Sequence, residues 1–120
     1  MENNIDSKAL AIEIAKILDQ KKAQDVRVLK VESLTVLTDY FVIASGTSTT
    51  QVASLADEVE FELSQKGLEP YSTEGYDSKN WVLLDYSSVI VHVFVPNTRT
   101  YYDLEHLWAD AKLTHVPNLD

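Results

Sequence analysis

Apolar residues recur at helical spacing in two stretches of the chain and cluster in strand-length runs between and after them. Leu10, Ile14, Ile17 and Leu18 fall on one stripe, with Ala11 and Ala15 beside it and Glu13 and Lys16 outside, which predicts a helix over about residues 8–21. Asp6 or Ser7 is placed to cap it, and Lys16, Lys21 and Lys22 lie toward its C-terminal end, where cations favour the helix dipole. Val52, Leu55, Ala56, Val59 and Leu63 share a face in the same way. They predict a second helix that starts at a cap on Ser48 or Thr49, runs to about Lys66 and stops at Gly67. Phe61 lies on the opposite side of that helix between Glu60 and Glu62, and a single exposed apolar residue there is not a patch.

The remaining runs have strand character. Residues 26–31 are rich in β-branched side chains and partly alternate, and Tyr40-Phe41-Val42-Ile43-Ala44 is apolar on both faces, as expected of a strand inside a sheet. Residues 68–72 read as a short edge strand because they contain Pro70, and Glu74 to Ser78 reads as a loop. Residues 81–85 and 89–95 read as two strands joined by a hairpin around Tyr86-Ser87-Ser88. Alternation puts Trp81, Leu83 and Asp85 on one face of the first and Val82, Leu84 and Tyr86 on the other. Pro96-Asn97-Thr98 ends the second. A last helix is predicted over about residues 100–111, with Tyr101, Leu104, Leu107 and Trp108 on one side, and residues 115–120 read as a tail.

The order α-β-β-α-β-β-β-α implies a mixed sheet flanked by helices, an α/β or α+β fold in one domain over residues 1–120 with its core at about 8–111. At 120 residues and 45% hydrophobic composition the chain can build an apolar core without staples. It has no cysteine, which removes disulfides, zinc ribbons and thiol chemistry and fits a reducing compartment. Apolar runs such as Val89-Ile90-Val91 fall far short of the roughly 20 residues a membrane span needs. Met1-Glu2-Asn3-Asn4 is acidic and polar where a signal peptide would be basic and then apolar. A cytoplasmic protein with no membrane partner is the expectation.

Nineteen acids against ten bases give a net charge of −9, and the bases are scattered in ones and twos. Nucleic acids are held mainly by clustered basic side chains, so DNA is not an expected partner and direct RNA contact should be slight. A basic protein surface is compatible with this charge.

Candidate chemistry is sparse. His92, His106 and His115 are too far apart in sequence for a short-spaced metal motif, and Asp57, Glu58, Glu60 and Glu62 spread around their helix instead of converging on one ion. A triad of Ser48, His92 and Asp39 could only be assembled by the fold, and nothing in the spacing favours it. Gly46-Thr47-Ser48 between a strand and a helix could hold phosphate, as in nucleotidyltransferases. Those enzymes need an acid pair on a following strand to hold metal. Here Asp85 stands alone, with Leu83 where its partner would be. No catalytic residue, cofactor or metal is therefore expected. Trp81, beside the polar run Tyr76-Asp77-Ser78-Lys79-Asn80, is either a core plug or an interface anchor.

Thr38-Asp39-Tyr40-Phe41-Val42-Ile43-Ala44-Ser45-Gly46-Thr47-Ser48, with Gln51-Val52 and Ala56-Asp57 after it, resembles the ribosomal silencing factor (RsfS, Iojap-related) family. So do Glu74-Gly75, Trp81-Val82-Leu83-Leu84-Asp85-Tyr86, Val91-His92-Val93-Phe94 and Tyr102-Asp103-Leu104-Glu105-His106-Leu107-Trp108. One departure is Ser87-Ser88, where the family usually has Gly-Asp. The resemblance implies a nucleotidyltransferase-like αβα sandwich without catalytic acids. It also implies a homodimer that binds the large ribosomal subunit through ribosomal protein number fourteen, blocks joining of the small subunit and damps translation when nutrients are short. On that basis the expected contact surface has Trp81 as anchor, Leu83, Asp85 and Tyr86 around it, Glu74 and Asp77 supplying negative charge, and His92 packed against the sheet or lining the site. Two other classes remain open at this point: an interaction module with a different partner, and an enzyme of nucleotidyl or phosphoryl transfer.

Overall fold

The computed structural model describes residues 6–117. Helix α1 spans Ser7–Gln20, and the Asp6 side chain caps it by accepting from the Ala9 N–H at 3.3 Å. It leads into strand β1, Gln24–Lys30, and β2, Tyr40–Ser45. Helix α2 spans Thr49–Ser64. The Ser48 hydroxyl caps its start by accepting from the Gln51 N–H at 3.1 Å. At its end Gly67 takes φ +81° while the Leu68 N–H returns to the Leu63 carbonyl at 2.9 Å, so the glycine stop has a left-handed geometry.

Strands β3 (Ser72–Glu74), β4 (Trp81–Asp85) and β5 (Val89–Phe94) follow. Helices α3 (Pro96–Tyr102) and α4 (Leu104–Leu107) come next, then β6 (Lys112–Leu113). The strands form one mixed sheet in the order β3-β4-β5-β2-β1-β6. Only β2 and β5 pair in parallel, and they are the central strands, as their two-sided apolar sequences require. The α+β architecture expected from the sequence is present.

The apolar stripes of α1 and α2 pack on one face of the sheet against Val28, Val42, Ala44, Val82, Leu84, Val91 and Val93. The other face carries Leu29, Phe41, Ile43 and Phe94, joined by Trp81, Ile90, Leu104, Trp108 and Ala111. Its helical cover is slight. The α3–α4 segment runs from the end of β5 to β6 at the far edge, so it crosses the β2–β1 half of the sheet and touches the β4–β3 half through Tyr102 on Trp81.

Three expectations change. The edge strand is not residues 68–72 but Ser72–Glu74, because the Tyr71 N–H already bonds the Asp85 carbonyl at 2.6 Å and Ser72 is the first residue in register, opposite Asp85. This puts Glu74 in the strand rather than in the loop. The final helix starts at Pro96, whose fixed φ suits a first helical position, and it breaks at Asp103, which takes φ 50°. In consequence Tyr101 and Leu107 are exposed, and of the predicted stripe only Leu104 and Trp108 pack on the sheet. Between the last helix and the expected tail, β6 pairs with β1, and within that tail Val116 is buried in the helix-covered core. Residues 118–120 of the expected tail lie outside the described residues.

Candidate functional site

The less covered half of this face is built from cross-strand rows, since directly opposed residues share a face. Trp81 of β4 stands opposite Phe94 of β5, which stands opposite Ser45 of β2. In the next row Glu74, Leu83, His92 and Ile43 succeed one another across β3, β4, β5 and β2. A third row holds Ser72, Asp85, Ile90 and Phe41. Sheet pairing therefore brings together Glu74, Trp81, Leu83, Asp85 and His92.

Trp81 is half-buried, so it is not the fully enclosed core plug that was one of the two expectations. Its ring stacks on Phe94 with centroids 4.8 Å apart, and Tyr102 of α3 packs on it at the same distance. Its indole N–H donates to Nδ1 of His92 at 3.1 Å. The approach of the preceding loop is equally close. Gly75 takes φ +92°, and a Cβ there would lie 1.9 Å from the Trp81 carbonyl oxygen, so only glycine fits against the anchor's backbone. Leu83 and Ile90 are partly exposed, and Glu74 and Asp85 border them.

Tyr86 and Asp77 do not join this group. Tyr86 is buried on the helix-covered face, as strand alternation requires, so it cannot sit beside Trp81. Burial, with Glu60 and Glu69 nearby, pushes its hydroxyl well above the ordinary tyrosine range. Asp77 belongs to the loop between β3 and β4, which is tied to α2 because the neighbouring Tyr76 donates its hydroxyl to Glu60 at 2.7 Å. His92 is present on the face but covered. It is 5% exposed, its Nε2 has no partner among the described residues, and burial holds its pKa down at about 4. It stays neutral near neutral pH.

Several contributors to this face were not singled out from sequence. Tyr102 packs on Trp81 and is 51% exposed, and Trp108 meets Phe41 edge-on at 5.3 Å. Arg99 holds the strap they belong to. Its buried guanidinium donates to Glu105 of α4 at 3.0 and 2.5 Å and to the Ser45 hydroxyl at 2.9 Å. It thereby bridges the Asp103 break and pins both helices to the end of β2. The signal was a lone arginine in a short amphipathic stretch, too weak to separate from a surface residue.

The geometry disfavours the catalytic alternatives. Asp39 precedes β2 and Ser48 follows it, so the six residues of that strand hold them roughly 20 Å apart, beyond any shared bond with His92. Asp85 is four residues along β4 from Trp81, whose row meets Ser45 just before Gly46, so it lies more than about 13 Å from the glycine turn. Within the turn, the Thr47 N–H and hydroxyl both donate to the Gln51 side chain, at 2.5 and 2.8 Å, and Ser48 is spent as the helix cap. A cavity of about 480 Å³ near the end of β2 contains Arg99, already paired as described. Among the described residues no three His, Asp or Glu side chains gather as metal ligands, and no helix is long and apolar enough to cross a membrane.

Comparison with known proteins gives this face a context. The family described as ribosomal silencing factor during starvation matches residues 4–120. The chain belongs to that family. The ribosomal silencing factor of Bacillus subtilis is 40% identical over 98 residues, covering 82% of this chain and 83% of its own. A crystal structure of a protein from Chromobacterium violaceum superposes with a TM-score of 0.84 at 34% identity, covering 88% of each chain. A mouse relative, named mitochondrial assembly of ribosomal large subunit protein 1, is 35% identical over 98 residues, covering 79% of this chain and 43% of its own. The family is named for silencing ribosomes and not for a reaction, and membership implies association with the ribosome.

Proposed function

We propose that this chain docks on the large ribosomal subunit through ribosomal protein number fourteen, using the Trp81 face, and there keeps the small subunit from joining. Translation is thereby damped when nutrients are short. The observation that carries the reading is Trp81 itself: a half-buried indole, held by His92, Phe94 and Tyr102, on the part of the sheet that the helices cover least. Aromatic anchors of this kind dominate binding energy at protein interfaces. Leu83 and Ile90 extend the apolar centre, and Glu74 and Asp85 provide an anionic rim suited to a basic ribosomal protein. Asp77 lies near enough in sequence to add to the field, while Tyr86 supports the face only from behind.

The mechanism is occlusion, with no reacting group and no cofactor. A body with dimensions of 38 × 33 × 28 Å occupies space where two particles must meet. The chain acts in the compartment of its ribosomes, the cytoplasm in a bacterium, and forms a homodimer. Purified subunits mixed with increasing amounts of the protein and sedimented through sucrose provide the test. The protein should travel with large subunits and reduce the yield of joined ribosomes. Joining at an unchanged yield, with the protein left at the top of the gradient, would overturn the proposal.

A further inference from the structure

His92 is an unusual residue to bury in a sheet. It stands between Leu83 and Ile43 in its row, meets the Phe41 ring edge-on at 4.9 Å and is nearly parallel to the Phe94 ring. An aliphatic side chain would fill this place without a polar atom to satisfy. What histidine adds is an acceptor. The indole N–H of Trp81 can only donate, so a bond to Nδ1 requires that nitrogen to be unprotonated and places the ring's proton on Nε2. The ring's own Nε2 proton then has no partner among the described residues, so the unmet donor sits on the buried histidine and the indole of the half-buried Trp81 is satisfied.

The bond also sets which part of Trp81 a partner meets. With the N–H edge directed inward to a buried nitrogen, the exposed part of the half-buried ring is carbon. We propose that His92 is the positioning residue of the docking face: by accepting the Trp81 N–H it locks the indole with its carbon edge outward, so the partner meets an apolar surface there and need supply no hydrogen-bond acceptor. This rests on the docking reading above and assigns His92 a role that acts through Trp81. Rigid aromatic anchors bind well because their orientation is fixed before the encounter.

Leucine and asparagine have the same branched shape, but asparagine carries an oxygen one bond beyond Cγ, where histidine carries Nδ1. His92→Leu should weaken binding to large subunits roughly tenfold, through loss of the fixed indole orientation, and should speed solvent exchange of the Trp81 indole proton. His92→Asn should stay within about threefold of the wild type. Nitrogen NMR on the unmodified free protein supplies a check that needs no variant to fold: His92 should carry its proton on Nε2, and the Trp81 indole proton should exchange slowly. A proton on Nδ1, a folded His92→Leu that binds like the wild type, or a His92→Asn as weak as His92→Leu would each overturn the proposal. Trp81→Ala separates this from the wider reading. If it weakens binding and His92→Leu does not, the positioning role alone falls; if Trp81→Ala binds like the wild type, the docking face falls as well.

Discussion

The two faces of the one sheet are made differently. The helix-covered face is mainly aliphatic: Val82, Leu84, Val91, Val93, Val42 and Ala44 are fully buried under the stripes of α1 and α2, with Tyr40 and Tyr86 the buried rings in that cluster. The other face is aromatic and mixed, with Trp81, His92, Phe94, Phe41 and Trp108, a buried histidine, a short strap pinned by Arg99, and Leu83 and Ile90 left partly in water. Close-packed aliphatics specify a fold, whereas rings with a polar handle suit a surface that must be wet at one time and covered at another. If the proposed docking holds, stability is concentrated on one side of the sheet and recognition on the other.

That division can be broken from either side. The largest effect should come from Leu84→Ala on the covered face, which empties a fully buried site and should lower unfolding free energy by about 2–5 kcal/mol in denaturant titration. Molecules that remain folded should still bind with their normal affinity. Acid should strain the open face next. A free imidazole titrates near 6.5 and His92 is held at about 4, so as pH falls the unfolded chain takes up the proton first. The stability tied to this histidine should be intact above about pH 6.5 and decline between there and about pH 4 by about 3 kcal/mol. It should level off below. His92→Asn should lack that component of the pH profile.

Arg99→Met should cost about 2 kcal/mol, since it removes the bonds to Glu105 and Ser45 but leaves a carboxylate that water still reaches. It should also loosen Tyr102 against Trp81, visible as a change in tryptophan fluorescence. The smallest effect is expected at the rim. Glu74→Lys should leave stability nearly unchanged, Asp85→Lys should cost about 1 kcal/mol by losing the Ser87 N–H bond at the hairpin, and each should weaken binding by about 0.5–1 kcal/mol, mainly through slower association and a flatter salt dependence. An unchanged salt dependence would remove electrostatic steering from the account.

How far the sequence could be read follows the same division. The covered face was legible because α1, α2, β2, β4 and β5 each carry a full apolar period, and all five lie within a residue or two of where that period puts them. The open face was legible only where alternation fixed it, at Trp81, Leu83 and Asp85. The edges were not. Strand β3 is exposed throughout and β6 has two residues, so neither carries an apolar period, and pairing partners alone decide where they form. The break at Asp103 was hidden because an aspartate in left-handed geometry has no pattern of its own, and it displaced Tyr101 and Leu107 from the face expected of them. Placing Tyr86 near Trp81 overlooked the alternation that sends it to the other side. The Trp81–His92 bond depends on the β4–β5 register, which a hairpin of uncertain length does not supply from sequence.

The most direct test of the division is the affinity of Trp81→Ala for isolated large ribosomal subunits, measured beside its unfolding free energy. The account predicts a folded protein whose binding is weaker by about 2 kcal/mol or more, roughly thirtyfold. A folded Trp81→Ala that binds large subunits as tightly as the unmodified chain would contradict it.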